Sequence, residues 1–144
     1  NIAQASYDFK RWEDTIFNDL GYSIFHDYAL NSQNKDSVHR SYAIKSFEEI
    51  YTEPTVTVMA NLDMLDMIDI NGGVPTYLYY DNELFNEVEN GTIEDMVHND
   101  HHGRVVKEAL EAKEIEVLAY LDGLGVDTTG GESKEDFIKR QLGI

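Results

Sequence analysis

The sequence lacks Lys and Arg over a long central stretch, since neither residue occurs between Lys45 and Arg104. These 58 residues, the acidic block, contain 13 carboxylates and contribute −13 of the formal net charge of −17. At average composition roughly seven of these positions would be basic. Ordinary acidic surfaces mix the two signs, because interspersed charges avoid self-repulsion. The one-signed block therefore predicts a surface that meets a partner of opposite charge.

Cysteine is also absent, which excludes disulfides, thiolate-ligated zinc and thiol nucleophiles. No apolar run approaches the roughly 18 residues of a transmembrane helix. The first residues of the sequence lack the charged-then-apolar pattern of a signal peptide. From these absences we expect a cytoplasmic protein.

The chain has too few basic residues to bind nucleic acid or an anionic membrane directly. The chain has 11 Lys and Arg residues against 28 Asp and Glu residues. Duplex DNA is bound by cations that displace its counterions, and anionic membranes likewise attract basic segments. We therefore expect neither nucleic acid nor a membrane as the direct ligand.

The apolar content predicts a folded chain despite this charge. Hydrophobic residues make up 42% of the 144 residues and aromatic residues 11%, which is too many for a disordered acidic tail. The length fits one domain spanning 1–144. Apolar residues at helical spacing predict a helical hairpin over about 6–51. The expected fold class is α+β, mainly helical, with a small central β-ribbon.

The ribbon is predicted inside an acidic region of short elements, 54–90. The β-branched run 55–58 predicts a first strand, and the Tyr-rich run 74–80 predicts a second strand that pairs with 55–60. Between them, Asn61 is expected to cap a short helix that ends at Ile70, before Gly72 and Gly73. A further short helix is expected from Asp81 to about 90.

Helices are expected to fill the C-terminal part, 92–142. Thr92 and Asp95 resemble a capping box, which opens a helical stretch that is interrupted at Gly103 and ends near Gly123. A loop follows over 128–131, and Ser133 is expected to cap a last helix over 134–142.

A histidine cluster is the one candidate for metal chemistry. On a helix, His98 and His102 would lie four residues apart on one face, with Asp95 one turn before them, as three ligands for zinc or manganese. The helical metalloprotease pattern requires Glu directly after the first His, where this sequence has Asn99. A solvated helix end accounts for the same residues. We expect no cofactor and no enzymatic activity.

The candidate partner-binding residues combine carboxylates with tyrosines. Three Asp residues at three-residue steps are expected on one helical stripe that advances about 4.5 Å per step. This spacing is similar to the roughly 3.4 Å advance between phosphates of one DNA strand. Exposed Tyr residues among carboxylates make good interface anchors, because Tyr is enriched at binding hot spots. The predicted set is Asp63, Asp66, Asp69, Tyr77, Tyr79, Asp81, Glu83, Glu87 and Glu89.

In charge, size and absence of motifs, the chain resembles phage and mobile-element inhibitors of restriction or CRISPR enzymes. The resemblance covers overall character and carries over no individual residue. It implies a nucleic-acid mimic that occupies the basic cleft of a DNA- or RNA-handling protein. Two alternatives stay open: a structural, assembly or immunity protein without enzymatic activity, and a metal-binding protein built on the His cluster. A homodimer is also left open.

Overall fold

The computed structural model describes residues 52–81 and 98–144, together with residues 11, 45, 46, 48 and 49. Four α-helices lie within this part: α1 (Thr55–Leu62), α2 (Met64–Asn71), α3 (Asp100–Ala112) and α4 (Lys134–Leu142). Three strands accompany them: β1 (Thr76–Tyr80), β2 (Val117–Leu121) and β3 (Val126–Asp127). The fold is α+β and mainly helical, as predicted. None of the described helices combines the length and apolarity needed to cross a membrane.

Several predicted elements lie outside the described residues. They are the helical hairpin over 6–51 (apart from five of its residues), the helix expected from Asp81 to 90, and the capping box of Thr92 and Asp95.

The three strands form one mixed sheet in the order β1-β2-β3. β1 pairs in parallel with β2, with Thr76 opposite Val117 and Tyr80 opposite Leu121. β3 runs antiparallel to β2. Parallel neighbours need a long crossover, and α3 lies within the connection between β1 and β2. The prediction that 74–80 pairs with 55–60 is therefore wrong.

The run 55–58 forms the first turn of α1 and not a strand. Strand propensity measures how well a side chain fits a pleated, half-buried surface, so packing readily overrides it. Met59 is the buried residue of this helix, whereas Val58 and Leu62 are each 54% exposed. A β-branched run alone is therefore weak evidence for a strand in this chain.

α3 continues through Gly103, where the sequence predicted an interruption. The side chain of Asn99 caps the helix by accepting a 3.0 Å hydrogen bond from the backbone N–H of His101. A Cβ atom at residue 103 would lie 2.6 Å from Leu121 Cδ2 and 2.7 Å from Tyr80 Cε2. Glycine is thus needed here because the helix lies directly against the sheet.

The predicted helical stretch over 92–123 is wrong beyond α3, because residues 117–121 form β2. The helix ends at Ala112, and Glu114 has a positive φ of 59°. Ala119 and Leu121 are both 0% exposed, which makes β2 the best-buried strand. A short apolar run that is fully buried cannot be assigned to helix or strand by periodicity alone.

The two faces of the sheet are covered by different helices. Side chains alternate between the faces along a strand, and Tyr80 and Leu121 meet α3 at Gly103. On the other face, Tyr77 packs edge-on against Phe137 of α4, with ring centroids 5.7 Å apart. The Ser133 side chain caps α4 by accepting a 3.1 Å hydrogen bond from the N–H of Asp136. The predicted helix over 134–142 and its cap are confirmed.

Candidate functional site

The carboxyl ends of the parallel strands β1 and β2 lie at one edge of the sheet, and α3 begins at the same edge. In open α/β sheets this edge is where ligands bind. Asp81 follows β1 and Asp122 follows β2. Asp127 is on β3, where it pairs with Tyr120 of β2. Together with Asp100, the first residue of α3, these carboxylates form what we call the acidic edge.

Asp100 lies at the centre of the acidic edge and is 1% exposed. Its Oδ2 atom accepts a 2.7 Å hydrogen bond from the backbone N–H of Gly123, in the turn after β2. Its Oδ1 atom is buried and has no hydrogen-bond partner among the described residues. Burial raises the pKa of the Asp100 carboxyl to about 6, and the nearby carboxylates Asp122 and Asp81 also favour the neutral form.

Tyr80, the last residue of β1, lies at the acidic edge near Asp100. Burial raises the pKa of the Tyr80 hydroxyl to about 12, and the Asp100 carboxylate adds to this shift. Two ionisable groups of the edge are therefore held toward their protonated forms, because charge is costly in a buried place. The described edge concentrates carboxylates, which favours cationic ligands and hydrogen-bond donors.

The predicted metal ligands do not form the expected helical set. His98 is exposed and precedes the Asn99 cap, so it is not on α3 one turn before His102. His102 is 0% exposed, and His101 accepts a 3.4 Å hydrogen bond at Nδ1 from Arg104. Asp95 lies outside the described residues. Within the described part of the chain, no group of three or more His, Asp and Glu side chains is arranged to hold a metal ion.

Tyr79 and Tyr120 form a stacked pair on the sheet face opposite α3. Their rings are 5.3 Å apart between centroids and 18° from parallel, because the two residues are partners across the parallel strands. Tyr79 remains 46% exposed. The Tyr120 hydroxyl donates a 3.1 Å hydrogen bond to Asp122, which raises the pKa of that hydroxyl. The pair therefore adjoins the acidic edge through this hydrogen bond.

The tyrosines predicted as anchors differ in their surroundings. Tyr79 presents its ring to solvent beside Tyr120, as an anchor requires. Tyr77 is half-buried, and its hydroxyl donates a 3.0 Å hydrogen bond to the backbone carbonyl of Glu132. Tyr77 thus holds α4 and the segment before it against the sheet.

The predicted stripe of three Asp residues is wrong at Asp63. This residue is 1% exposed and is the N-cap of α2, where its carboxylate accepts hydrogen bonds from the N–H groups of Leu65 and Asp66. Arg11 binds Asp63 at 2.6 Å and Asp66 at 2.8 Å. Asp69 is exposed, with Lys113 at 3.6 Å. Glu83, Glu87 and Glu89 lie outside the described residues.

Sequence reasoning placed Tyr79 and Asp81 in the candidate site but missed Tyr120, Asp122 and Asp127. These three residues lie outside the acidic block, and the strand before Asp122 was predicted as helix. Assigning 117–121 as a strand would have marked Asp122 as a strand-end carboxylate, because the ends of parallel strands meet at one edge.

No protein-family model, curated protein or solved structure matches this chain.

Proposed function

We propose that this chain is a non-enzymatic acidic protein that binds a basic, nucleic-acid-handling protein and blocks its access to DNA or RNA. In this respect it would act as a nucleic-acid mimic, comparable in kind to anti-restriction or anti-CRISPR inhibitors. The observation that carries the proposal is the acidic edge, where Asp81 of the acidic block lies close to carboxylates from a different part of the sequence.

Folding enlarges the acidic surface beyond the block itself. Asp81 and Asp122 are 41 positions apart in the sequence, and both are exposed. Both lie near enough to Asp100 to raise its pKa. A like-charged cluster costs stability through repulsion, so its presence at an exposed edge supports a binding role. A basic cleft is the surface that complements it.

The surrounding fold suits the binding of a partner. Asp122 of the acidic edge directly follows β2, whose Ala119 and Leu121 are 0% exposed. The exposed aromatic ring of Tyr79 lies beside the acidic edge. Rigid aromatic side chains supply contact area, while flanking charges accelerate encounter and exclude wrong partners. We therefore propose Tyr79, Asp81 and Asp122 as contact residues, in place of the stripe that included Asp63.

A capture experiment tests the proposal. The wild-type chain and the variant D81N/D122N are used to retain proteins from a bacterial lysate, and the retained partner is identified. The control variant E111Q/E114Q removes the same charge at the opposite end of α3, where both residues are exposed. We expect a basic DNA- or RNA-binding protein to be retained by the wild type and the control and lost from D81N/D122N.

Competition then separates a mimic from an assembly protein. Duplex DNA added to the purified complex should release the partner, and the association rate should fall steeply as salt screens the charges. A partner that has no affinity for nucleic acid, or one that DNA and salt leave bound, would overturn the proposal in favour of an assembly role.

A further inference from the structure

We infer that the stacked Tyr79–Tyr120 pair is a binding site for an arginine side chain of the partner, and that Lys134 occupies this site in the free protein. The inference rests on the proposed function and names the partner group that the site recognises. Its support is the position of one lysine, the carboxylates near the two rings and the geometry of those rings.

A cation already lies on the Tyr79 ring. The ammonium nitrogen of Lys134 is 4.5 Å from the ring centroid, well within the range of about 6 Å over which an aromatic face attracts a cation. Lys134 forms no ion pair with any carboxylate in the described part of the chain, although the sequence contains 28 acidic residues. Among the described residues, the Tyr79 ring is therefore the partner of the Lys134 ammonium group.

Lys134 is poorly placed for the stability of its own helix. It is the first residue of α4, and the N-terminus of a helix carries partial positive charge that disfavours a nearby cation. Glu135 and Asp136 in the same turn have the favourable sign. Displacing the Lys134 ammonium from Tyr79 would thus cost α4 little stability. This is required if an arginine of the partner is to replace Lys134 on the ring.

Carboxylates flank the ring pair on two sides. Asp122 accepts the hydrogen bond from Tyr120 at 3.1 Å, and Asp127 lies close enough to affect the pKa of the same hydroxyl. Asp81 lines, with Tyr79 and Lys134, a cavity of about 610 Å³ beside β1. An arriving cation would therefore find both a ring face and negative charge within reach.

Arginine fits this arrangement better than lysine. The guanidinium group is planar, stacks on aromatic faces and is less strongly hydrated than an ammonium group, and its five N–H donors reach neighbouring carboxylates. Stacking against Tyr120, 18° from parallel, orients the Tyr79 ring, and its other face is available to a planar guanidinium group. Arginine is also a frequent hot-spot residue at protein interfaces.

The test compares two peptides of equal charge, nona-arginine and nona-lysine, by fluorescence anisotropy at physiological salt. Wild-type protein is expected to bind nona-arginine more tightly by at most about two- to fivefold, because a whole cation–π contact at an exposed site corresponds to that ratio and lysine makes a weaker contact of the same kind. Y79L should reduce this preference and Y79F, which keeps the ring, should retain it. K134M should strengthen nona-arginine binding, because it empties the ring face.

Two controls keep the result interpretable. Thermal melting of each variant shows whether it folds, and K139M removes an exposed lysine of the same helix that does not lie on the Tyr79 ring, so it controls for the charge that K134M removes. Tyr ring resonances in carbon-13 NMR spectra should shift for Tyr79 when nona-arginine is added. Equal binding of the two peptides, or an unchanged arginine preference in folded Y79L, would overturn the inference.

Failure of this inference is distinguishable from failure of the proposed function. If Y79L still retains the DNA-competed partner while D81N/D122N does not, the arginine site is wrong and the acidic inhibitor proposal stands. If no basic partner is retained but the peptide preference depends on Tyr79, the site is supported and the proposed function is not.

Discussion

The Asp100 carboxylate accepts a 2.7 Å hydrogen bond from the backbone N–H of Gly123, and so joins the first turn of α3 to the turn that follows β2. One oxygen of this buried carboxylate is satisfied by that bond, whereas the other lacks a hydrogen-bond partner among the described residues. The contact therefore holds the acidic edge together while leaving a buried charge incompletely compensated.

Asp100 should make stability fall as pH rises. Its folded-state pKa of about 6 is above the ordinary value of 3.8, so the folded chain binds a proton more tightly than the unfolded chain. This contribution is fully present below about pH 4 and is lost as pH rises through about 6. D100N stays neutral, so its free energy of unfolding relative to wild type should rise by at most about 3 kcal/mol from pH 4 to pH 7.5.

Thermal and urea melting of D100N and wild type across that pH range measures this difference. D69N removes an exposed carboxylate and controls for the loss of one negative charge. A difference between D100N and wild type that does not change with pH would show that Asp100 is not the titrating group.

Gly103 is expected to tolerate no side chain. A Cβ atom there would approach the buried side chains of Leu121 and Tyr80 to 2.6 and 2.7 Å. Overpacking of this kind typically costs about 1–3 kcal/mol, which outweighs the gain of about 1 kcal/mol from replacing a helical glycine by alanine. G103A should therefore lower the midpoint of urea unfolding. A midpoint at or above that of wild type would mean that α3 does not lie this close to the sheet.

Asp63 should matter for folding more than for binding. D63A removes the cap of α2 and the partner of Arg11, and loss of a cap alone typically costs about 1 kcal/mol. D63N keeps an oxygen that can cap the helix, so we expect a smaller loss. D66N removes a half-exposed partner of the same Arg11 and should cost less than about 1 kcal/mol. Equal melting temperatures for D63A and D66N would contradict this order.

Phe137 should anchor α4 to the sheet. It is 4% exposed and packs against Tyr77, and truncation of a buried aromatic side chain to alanine typically costs about 3–5 kcal/mol. The next residue, Ile138, is 55% exposed, so I138A is a matched control that should change stability by less than about 1 kcal/mol. Chemical denaturation of both variants gives the comparison, and similar losses would argue that α4 is packed through another face.

The features that sequence reasoning predicted correctly are those with local signals. The last helix was predicted from Ser133, which is its N-cap in the structure and directly precedes its first residue. β1 was predicted as 74–80 and occupies 76–80, because its tyrosines and β-branched residues favour a strand wherever it pairs.

The features that were missed depend on contacts between distant residues. Nothing local distinguishes β2 from a continuing helix, since its buried state follows from pairing with β1, 41 positions earlier in the chain. The same holds for Asp63, whose burial is accompanied by an ion pair with Arg11, 52 positions away. Of the candidate site, Tyr79 and Asp81 were therefore predictable from local sequence, whereas Tyr120, Asp122 and Asp127 join it only through the pairing of the strands.

The parallel pairing of β1 with β2 also bears on how the molecule folds. Tyr120 and Asp127 pair across β2 and β3 at a separation of 7 positions, whereas Tyr79 and Tyr120 pair at 41. Closing the longer loop costs more conformational entropy, so local pairings tend to form before distant ones. We expect β2 and β3 to associate first and β1 to dock late, which would give L78A a low φ-value and A119G a higher one. The tyrosine pair and the acidic edge would then be completed only in the final steps of folding, so a newly made chain would acquire its proposed binding surface last.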